Sequence, residues 1–239
     1  MIDTLTIDPT RLAGRTGRGV RIAVIDSGVH AGHPHIGGVV DGASIGSGGE
    51  VTADAGDRLG HGTAVAAAIH EKAPGATIIP VRVFDRELAA TIDVLVEAIR
   101  WAADAGAPLI NLSLGTVNHA HAPLLRDVVA FAAAAGAVVV AAAPEAGRPW
   151  LPGGLPGVVA VAVDWDIPRD SCVVSWDDDG ALASVRASGW PRPIPGVPPE
   201  RNLRGVSFAV ANATGLIACA LEGRVIGASA DLSEIFRDL

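Results

Sequence analysis

Val20-Arg21-Ile22-Ala23-Val24-Ile25-Asp26-Ser27-Gly28 is a β-branched apolar run that ends in a carboxylate and a turn. Such a run predicts a buried strand delivering Asp26 at its carboxyl end, where open parallel sheets place their sites. Runs of the same character recur at 77–83, 108–113, 137–143 and 157–163. They alternate with helical stretches at 62–71, 91–105 and 123–135. This alternation predicts a three-layer α/β architecture, a mostly parallel sheet with helices on both faces. Strands apolar throughout suit burial on both faces. In the stretch 91–105, Ile92, Leu95, Ile99 and Ala102 or Ala103 recur at three- and four-residue spacing, with Asp93, Glu97, Arg100 and Asp104 on the other face. Gly106 stops that helix and Pro108 opens the next strand. From 164 to 204 the chain is irregular and rich in Pro, Asp and Arg, which predicts hairpins and long surface loops.

Two further segments carry chemistry. Gly60-His61-Gly62-Thr63 precedes the apolar stretch Ala64–Ile69, which places His61 at a helix start. Gly205-Val206-Ser207 precedes the Ala-rich helical stretch Phe208–Leu221, which places a hydroxyl near another. At a helix start, free N–H groups and the helix dipole favour negative charge. A hydroxyl is a poor nucleophile at neutral pH. It needs an imidazole to take its proton and a carboxylate to fix the imidazole tautomer and stabilise its cation. Asp26, His61 and Ser207 are the candidates for these three roles.

With these residues the chain resembles the subtilisin-like serine proteases, the subtilases. The resemblance runs from about residue 20 to 222, through Ile25-Asp26-Ser27-Gly28-Val29 with His33-Pro34, His61-Gly62-Thr63 and Ala98-Ile99-Arg100-Trp101-Ala102. It continues through Ile110-Asn111-Leu112-Ser113-Leu114-Gly115, Leu155-Pro156-Gly157-Val158-Val159-Ala160-Val161 and Gly205-Val206-Ser207. The order Asp, His, Ser is the family's. The resemblance implies a serine endopeptidase acting on an extended peptide or protein substrate through an acyl-enzyme. Ser113, Leu114 and Gly115 would then form an edge strand that pairs with the substrate. The segment Ala141–Ala143 and the loop with Gly153 and Gly154 would wall the primary specificity pocket. A compact enzyme of this kind suits processing of a precursor peptide. Two alternatives stand beside it: a peptide transamidase or cyclase using the same acyl-enzyme, and a catalytically impaired peptide-binding protein.

One position departs from the family. Where subtilases carry Gly-Asn-Glu-Gly, with the Asn donating to the oxyanion, this chain reads Pro144-Glu145-Ala146-Gly147. Pro144 has no N–H, and an ionised Glu145 repels developing negative charge. Loss of such a donor costs on the order of 10²–10³ in rate. Three readings follow: a protonated Glu145 acting as donor from an apolar site, replacement by Asn118, Arg148 or Asn202, or a slow or substrate-assisted enzyme.

Length and composition bound the rest. A chain of 239 residues with 49% hydrophobic content is enough for one domain over 1–239 with a sizeable core. A net charge of −8 argues against nucleic acid or an anionic membrane surface as partner. Without a basic start followed by an apolar run, or a segment of spanning length, the expectation is a cytoplasmic protein. Cys172 and Cys219 permit at most one bridge, and free buried thiols are expected in a reducing compartment. About 19 residues precede the first expected strand, at 20, too few for the folding prodomain of secreted subtilases, so the resemblance implies an intracellular enzyme that folds without one, unless the chain is a trimmed product.

No cofactor or metal is expected. Gly14, Gly17 and Gly19 precede a strand, whereas a dinucleotide fingerprint follows one. His30, His33 and His35 read as loop histidines, since no cysteine or carboxylate cluster adjoins them. His119 and His121 read as solvated loop residues. Asp177-Asp178-Asp179-Gly180 fits a hairpin turn and lacks the alternate spacing of a calcium loop. Trp101 is expected in the core, and Trp150 or Trp190 at the groove.

Overall fold

The computed structural model describes residues 3–145, 150–226 and 232–239. Five apolar runs of the sequence become the strands β2 (Arg21–Asp26), β5 (Thr77–Arg82), β6 (Leu109–Leu112), β7 (Val138–Ala142) and β8 (Val158–Val163). Between and after them lie the helices α1 (His61–Lys72), α2 (Ile92–Asp104), α3 (Ala122–Ala134) and α4 (Val206–Leu221). The remaining elements are β1 (Asp3–Ile7), β3 (Ala43–Ile45), β4 (Val51–Thr52), β9 (Cys172–Trp176), β10 (Leu182–Ala187) and a short α5 (Ser233–Arg237), besides two 3₁₀ turns. The strands join in a ten-stranded sheet of order β1-β9-β10-β8-β7-β6-β2-β5-β3-β4. From β3 to β10 all neighbours run parallel, and the edge strands β1, β9 and β4 pair antiparallel.

Alternation along β2 shows how the sheet divides the core. Ile22 and Val24 pack with Ile69 of α1 and with Phe208 and Ile217 of α4. Ala23 and Ile25 face the other way, into the layer with Ile99 of α2 and Val128 of α3. Successive side chains of a strand point to opposite faces, so a strand whose interior is apolar on both faces needs a helix layer on each. This is the expected three-layer α/β fold. α4 goes further: its sequence contains no charged residue and it is buried continuously from Phe208 to Leu221. Its polar side chains therefore need internal partners. Thr214 Oγ1 donates to Asn111 Oδ1 at 3.0 Å, and Asn212 Nδ2 donates to the carbonyls of Ser188 and Trp190.

β2 also sits where the strand order reverses, with β5 on one flank and β6 on the other. The carboxyl ends of strands at such a switch point open into a crevice. Asp26 is the last residue of β2.

The structure corrects one expectation. The first strand is Asp3–Ile7, not the run at 20, and it extends the sheet edge by pairing with β9. Its alternation, Leu5 half-buried and Ile7 buried between exposed neighbours, is the period of a one-sided edge strand rather than the continuous apolar run of a central one. Asp177–Gly180 turns the β9–β10 hairpin, Asp177 Oδ1 accepting from the N–H groups of Asp179 and Ala181. Trp101 is half-buried against the α2–α3 layer.

Ile99 has no exposed surface. Truncation Ile99→Ala is expected to cost about 2–5 kcal/mol through lost burial and the cavity left behind. Urea unfolding of the two proteins measures it as a lowered midpoint at unchanged slope.

Candidate active site

The three candidate residues are delivered by β2, α1 and α4. Asp26 is completely buried, while the His61 side chain retains 15% exposure. His61 Nδ1 lies 2.8 Å from Asp26 Oδ1 and 2.9 Å from Oδ2, and the backbone N–H of Ser27 donates to Oδ1 at 2.7 Å. With Nδ1–H pointed at the carboxylate, the lone pair of the neutral ring resides on Nε2. Burial pulls the imidazole pKa down, but the hydrogen bond and charge of Asp26, with Asp57 behind, outweigh it and leave it raised. The Phe208 ring lies beside the imidazole, centroids 5.9 Å apart.

The flanking glycines of His61 have separate reasons. Gly60 enters α1 at φ +81°, a left-handed conformation that L side chains resist. A side chain at Gly62 would place its Cβ 2.2 Å from the carbonyl oxygen of Gly28, so only glycine brings α1 this close to the turn after β2.

Asp57 is a contributor that sequence reading did not single out. Its carboxylate accepts from Ser27 Oγ at 2.7 Å, from the N–H groups of Leu59, Gly60 and Thr63, and from Thr63 Oγ1. Ser27 Oγ in turn accepts from the N–H of Gly62. One half-buried carboxylate thus ties the turn after Asp26 to the first turn of α1 on both sides of His61. Burial pushes the Asp57 pKa up, yet these hydrogen bonds prevail and lower it. The legible signal was an aspartate just ahead of a helix start, the position where carboxylates accept from free N–H groups.

Ser207 is the second residue of α4, so its N–H has no carbonyl one turn back to bond. Its Oγ donates to the carbonyl of Ser113 at 3.4 Å. Among the described residues no hydrogen bond links Ser207 Oγ to His61. Ser113 is tied to this helix in turn, because Asn111 Nδ2 donates to Ser113 Oγ and Asn111 Oδ1 accepts from Thr214.

Ser113, Leu114 and Gly115 follow β6 without joining the sheet, and Thr116 then makes an antiparallel bridge with Leu151. A Cβ on Gly115 would lie 2.2 Å from Trp150 Nε1, so the indole rests on this segment. Trp150 Nε1 is buried without a hydrogen-bond partner. Gly154 donates its N–H to the Trp150 carbonyl, and Gly153 lies against the Ala142 carbonyl of β7, where a Cβ would come within 1.7 Å. The segments expected to wall a primary pocket are therefore neighbours. Trp190 instead stacks edge-on with Trp165 at 5.3 Å, under the Arg204 guanidinium.

Glu145 lies exposed just beyond β7, so the apolar site expected for a donor carboxyl is not there. Asn118 is engaged with His121 and the Ala120 N–H, and Asn202 with the Arg192 carbonyl and the Leu203 N–H. Ala146, Gly147 and Arg148 lie outside the described residues. His33 and His35 stack edge-on in their loop, and His119–His121 form a 3₁₀ turn ahead of α3. No described helix is long and apolar enough to cross a membrane.

The sequence profile of the Subtilase family matches residues 17–161, which takes in Asp26, His61 and Ser113–Gly115 and stops short of Ser207. Thermitase of Thermoactinomyces vulgaris is 34% identical over 219 residues, covering 84% of this chain and 76% of that protein. Subtilisin E of Bacillus subtilis (strain 168) is 30% identical over 218 residues, covering 85% of this chain, which spans only 53% of that relative. Among solved structures, a protease of Pseudoalteromonas arctica superposes with TM-score 0.70 at 21% identity, over 97% of this chain and 85% of that one. A cold-adapted subtilisin-like serine proteinase superposes with TM-score 0.66 at 24% identity, over 88% and 78%.

Because the folded pKa of His61 is raised, the charged His61–Asp26 pair adds stability fully below the ordinary imidazole value and loses it as pH rises through the folded one. The His61 Cε1 proton, followed by NMR, is expected to titrate with a midpoint above about 6.5. In Asp26→Asn the midpoint should fall, and the stability gap between the two proteins should narrow as pH rises.

Proposed function

Because the chain belongs to the subtilase family, we propose that it is a serine endopeptidase cleaving an extended peptide or protein substrate through an acyl-enzyme. The observation that carries this reading is the buried Asp26 carboxylate bonded to His61 Nδ1, with the ring's other nitrogen left to act and Ser207 at the start of α4. Ser207 Oγ attacks the scissile carbonyl as His61 Nε2 takes its proton. Asp26 holds the imidazole in the productive tautomer and offsets its positive charge. The tetrahedral oxygen receives the Ser207 N–H and the positive end of the α4 dipole. Collapse expels the amine, to which His61 returns the proton, and water repeats the sequence on the ester.

The acyl side of the substrate runs along Ser113–Gly115. The Trp150 indole, resting on Gly115, limits the side chain accepted there, and the loop at Gly153 and Gly154 completes the wall. Glu145 stands where the family supplies an oxyanion donor, so acylation is slow relative to a subtilase with asparagine there. The intended setting is precursor-peptide processing by one domain in the cytoplasm. Free, buried Cys172 and Cys219 fit that compartment, and burial drives their pKa values up to about 12 and about 11, which keeps both thiols protonated.

Nucleophile and base act as a unit. Ser207→Ala and His61→Ala are each expected to abolish labelling by a fluorophosphonate and turnover of peptide, with the double variant scarcely worse. Intact mass spectrometry reads the labelling. Labelling that persists in Ser207→Ala would remove Ser207 from the role. A product lacking the added water would shift the reading to a transamidase or cyclase.

Glu145→Asn replaces an acceptor with a fixed donor where charge develops. Acylation should accelerate by about 10- to 100-fold, within the value of one oxyanion donor. Pre-steady-state release from an ester substrate measures it. Glu145→Ala and Glu145→Gln should help less. Loss of activity in all three would give this carboxyl a catalytic or substrate-binding task of its own.

A further inference from the structure

Beside the proposed catalytic residues lies a cavity of about 510 Å³ that the mechanism above does not use. One wall is the start of α1, Gly60, Thr63 and Ala64, the immediate flanks of His61. The facing wall is the segment from Pro191 to Leu203, which leads directly into Ser207. Neither Ser113–Gly115 nor Gly153–Gly154 lines it.

The charge of this cavity runs against the chain as a whole. The protein carries net charge −8, yet the cavity is lined by Arg192, Arg201, His33 and His35 and by no carboxylate. Several arginines elsewhere are neutralised by carboxylates, Arg58 and Arg82 by Asp54 and Asp85, Arg169 by Glu71 and Arg186 by Asp164, while others on the surface, such as Arg21 and Arg126, are not so paired among the described residues. Among the described residues Arg192 and Arg201 have no ion pair. Arg192 spends one guanidinium nitrogen on the His35 carbonyl at 2.7 Å, which fixes the group in place and leaves its other donors open. Ile194 and Leu203, 44% and 51% exposed, supply an apolar floor beside them. Two unpaired guanidinium groups on a partly apolar cavity are suited to bidentate recognition of a carboxylate.

The side of the scissile bond follows from the chemistry. His61 must hand its proton to the leaving nitrogen, so the departing segment passes His61, and this cavity begins at the residues flanking His61. We propose that the cavity is a leaving-group-side subsite that selects substrates carrying a carboxylate within the first few residues after the cleaved bond. The inference rests on the endopeptidase reading for its orientation. The carboxylate comes from an Asp or Glu side chain or from a free carboxyl terminus.

Two measurements test it. In the first, calorimetry on the catalytically silent Ser207→Ala protein compares Ala-Leu-Glu-Glu-amide with Ala-Leu-Gln-Gln-amide, and Ala-Leu-Gln-Gln as free acid with its amide. A carboxylate-bearing peptide is expected to bind at least tenfold more tightly than its neutral counterpart, the favoured pair identifying the source. Arg201→Glu and Arg192→Gln should bring that ratio near one, with melting temperature reporting the fold of each variant. In the second, wild type is incubated with a synthetic peptide library blocked at its amino termini, half of it with free and half with amidated carboxyl termini, and the cut sites are read by mass spectrometry. Asp, Glu or a free terminus is expected to be enriched after the cut, and Arg201→Glu should erase the enrichment. Equal binding of charged and neutral peptides, or a preference that survives both substitutions, overturns the subsite. Carboxylate-selective binding without cleavage or fluorophosphonate labelling would leave the subsite standing and overturn the endopeptidase reading instead.

Discussion

A carboxylate with no exposed surface must be paired, and Asp26 at the end of β2 is such a group. Its oxygens are satisfied by His61 Nδ1 and the Ser27 N–H, so the start of α1 must lie against the turn after β2. Removing one partner of a buried pair costs about 3–5 kcal/mol, because the other charge is left uncompensated. That constraint explains why Gly62 tolerates no side chain and why Asp57 spans the same two segments. The geometry that prepares an imidazole for base chemistry is therefore the geometry that satisfies the fold.

A second layer of constraint comes from α4. Being apolar on every side, it must be enclosed, which places its amino terminus at the rim of the sheet near the ends of β2 and β6. The chain Thr214 to Asn111 to Ser113 then couples the interior of α4 to the segment next to Ser207. Polar groups inside an apolar layer act here as positioning devices, since each has few partners that satisfy it.

The two flanks of Ser207 and His61 differ in character. On one, Trp150 covers Gly115 and carries a buried N–H without an acceptor. On the other, unpaired arginines border an open cavity. On the proposed reading, a peptide lying across the site would meet an aromatic, confined wall before the scissile bond and a cationic, roomier one after it. In an acidic protein such a local reversal of charge orients a ligand as well as holding it.

Much of this was legible in the residues. The parallel strands, the four long helices and the three candidate residues follow from periodicity and from glycines flanking a histidine and a serine, because buried strands and helix starts impose local patterns. β1 was missed, since an edge strand is half exposed and carries too short an alternation to stand out. Asp57 was missed because its local contacts, to Leu59, Gly60 and Thr63, read as an ordinary helix-start carboxylate, and only the folded chain brings Ser27 against it. The sequence alone determined which chemistry is available and on which elements it is carried. Only the tertiary structure decided that Trp150 rests on Gly115, that Glu145 lies exposed, and that Arg192 and Arg201 lack ion pairs among the described residues. Those outcomes depend on how loops pack across long separations, where contact geometry leaves no periodic trace in the chain.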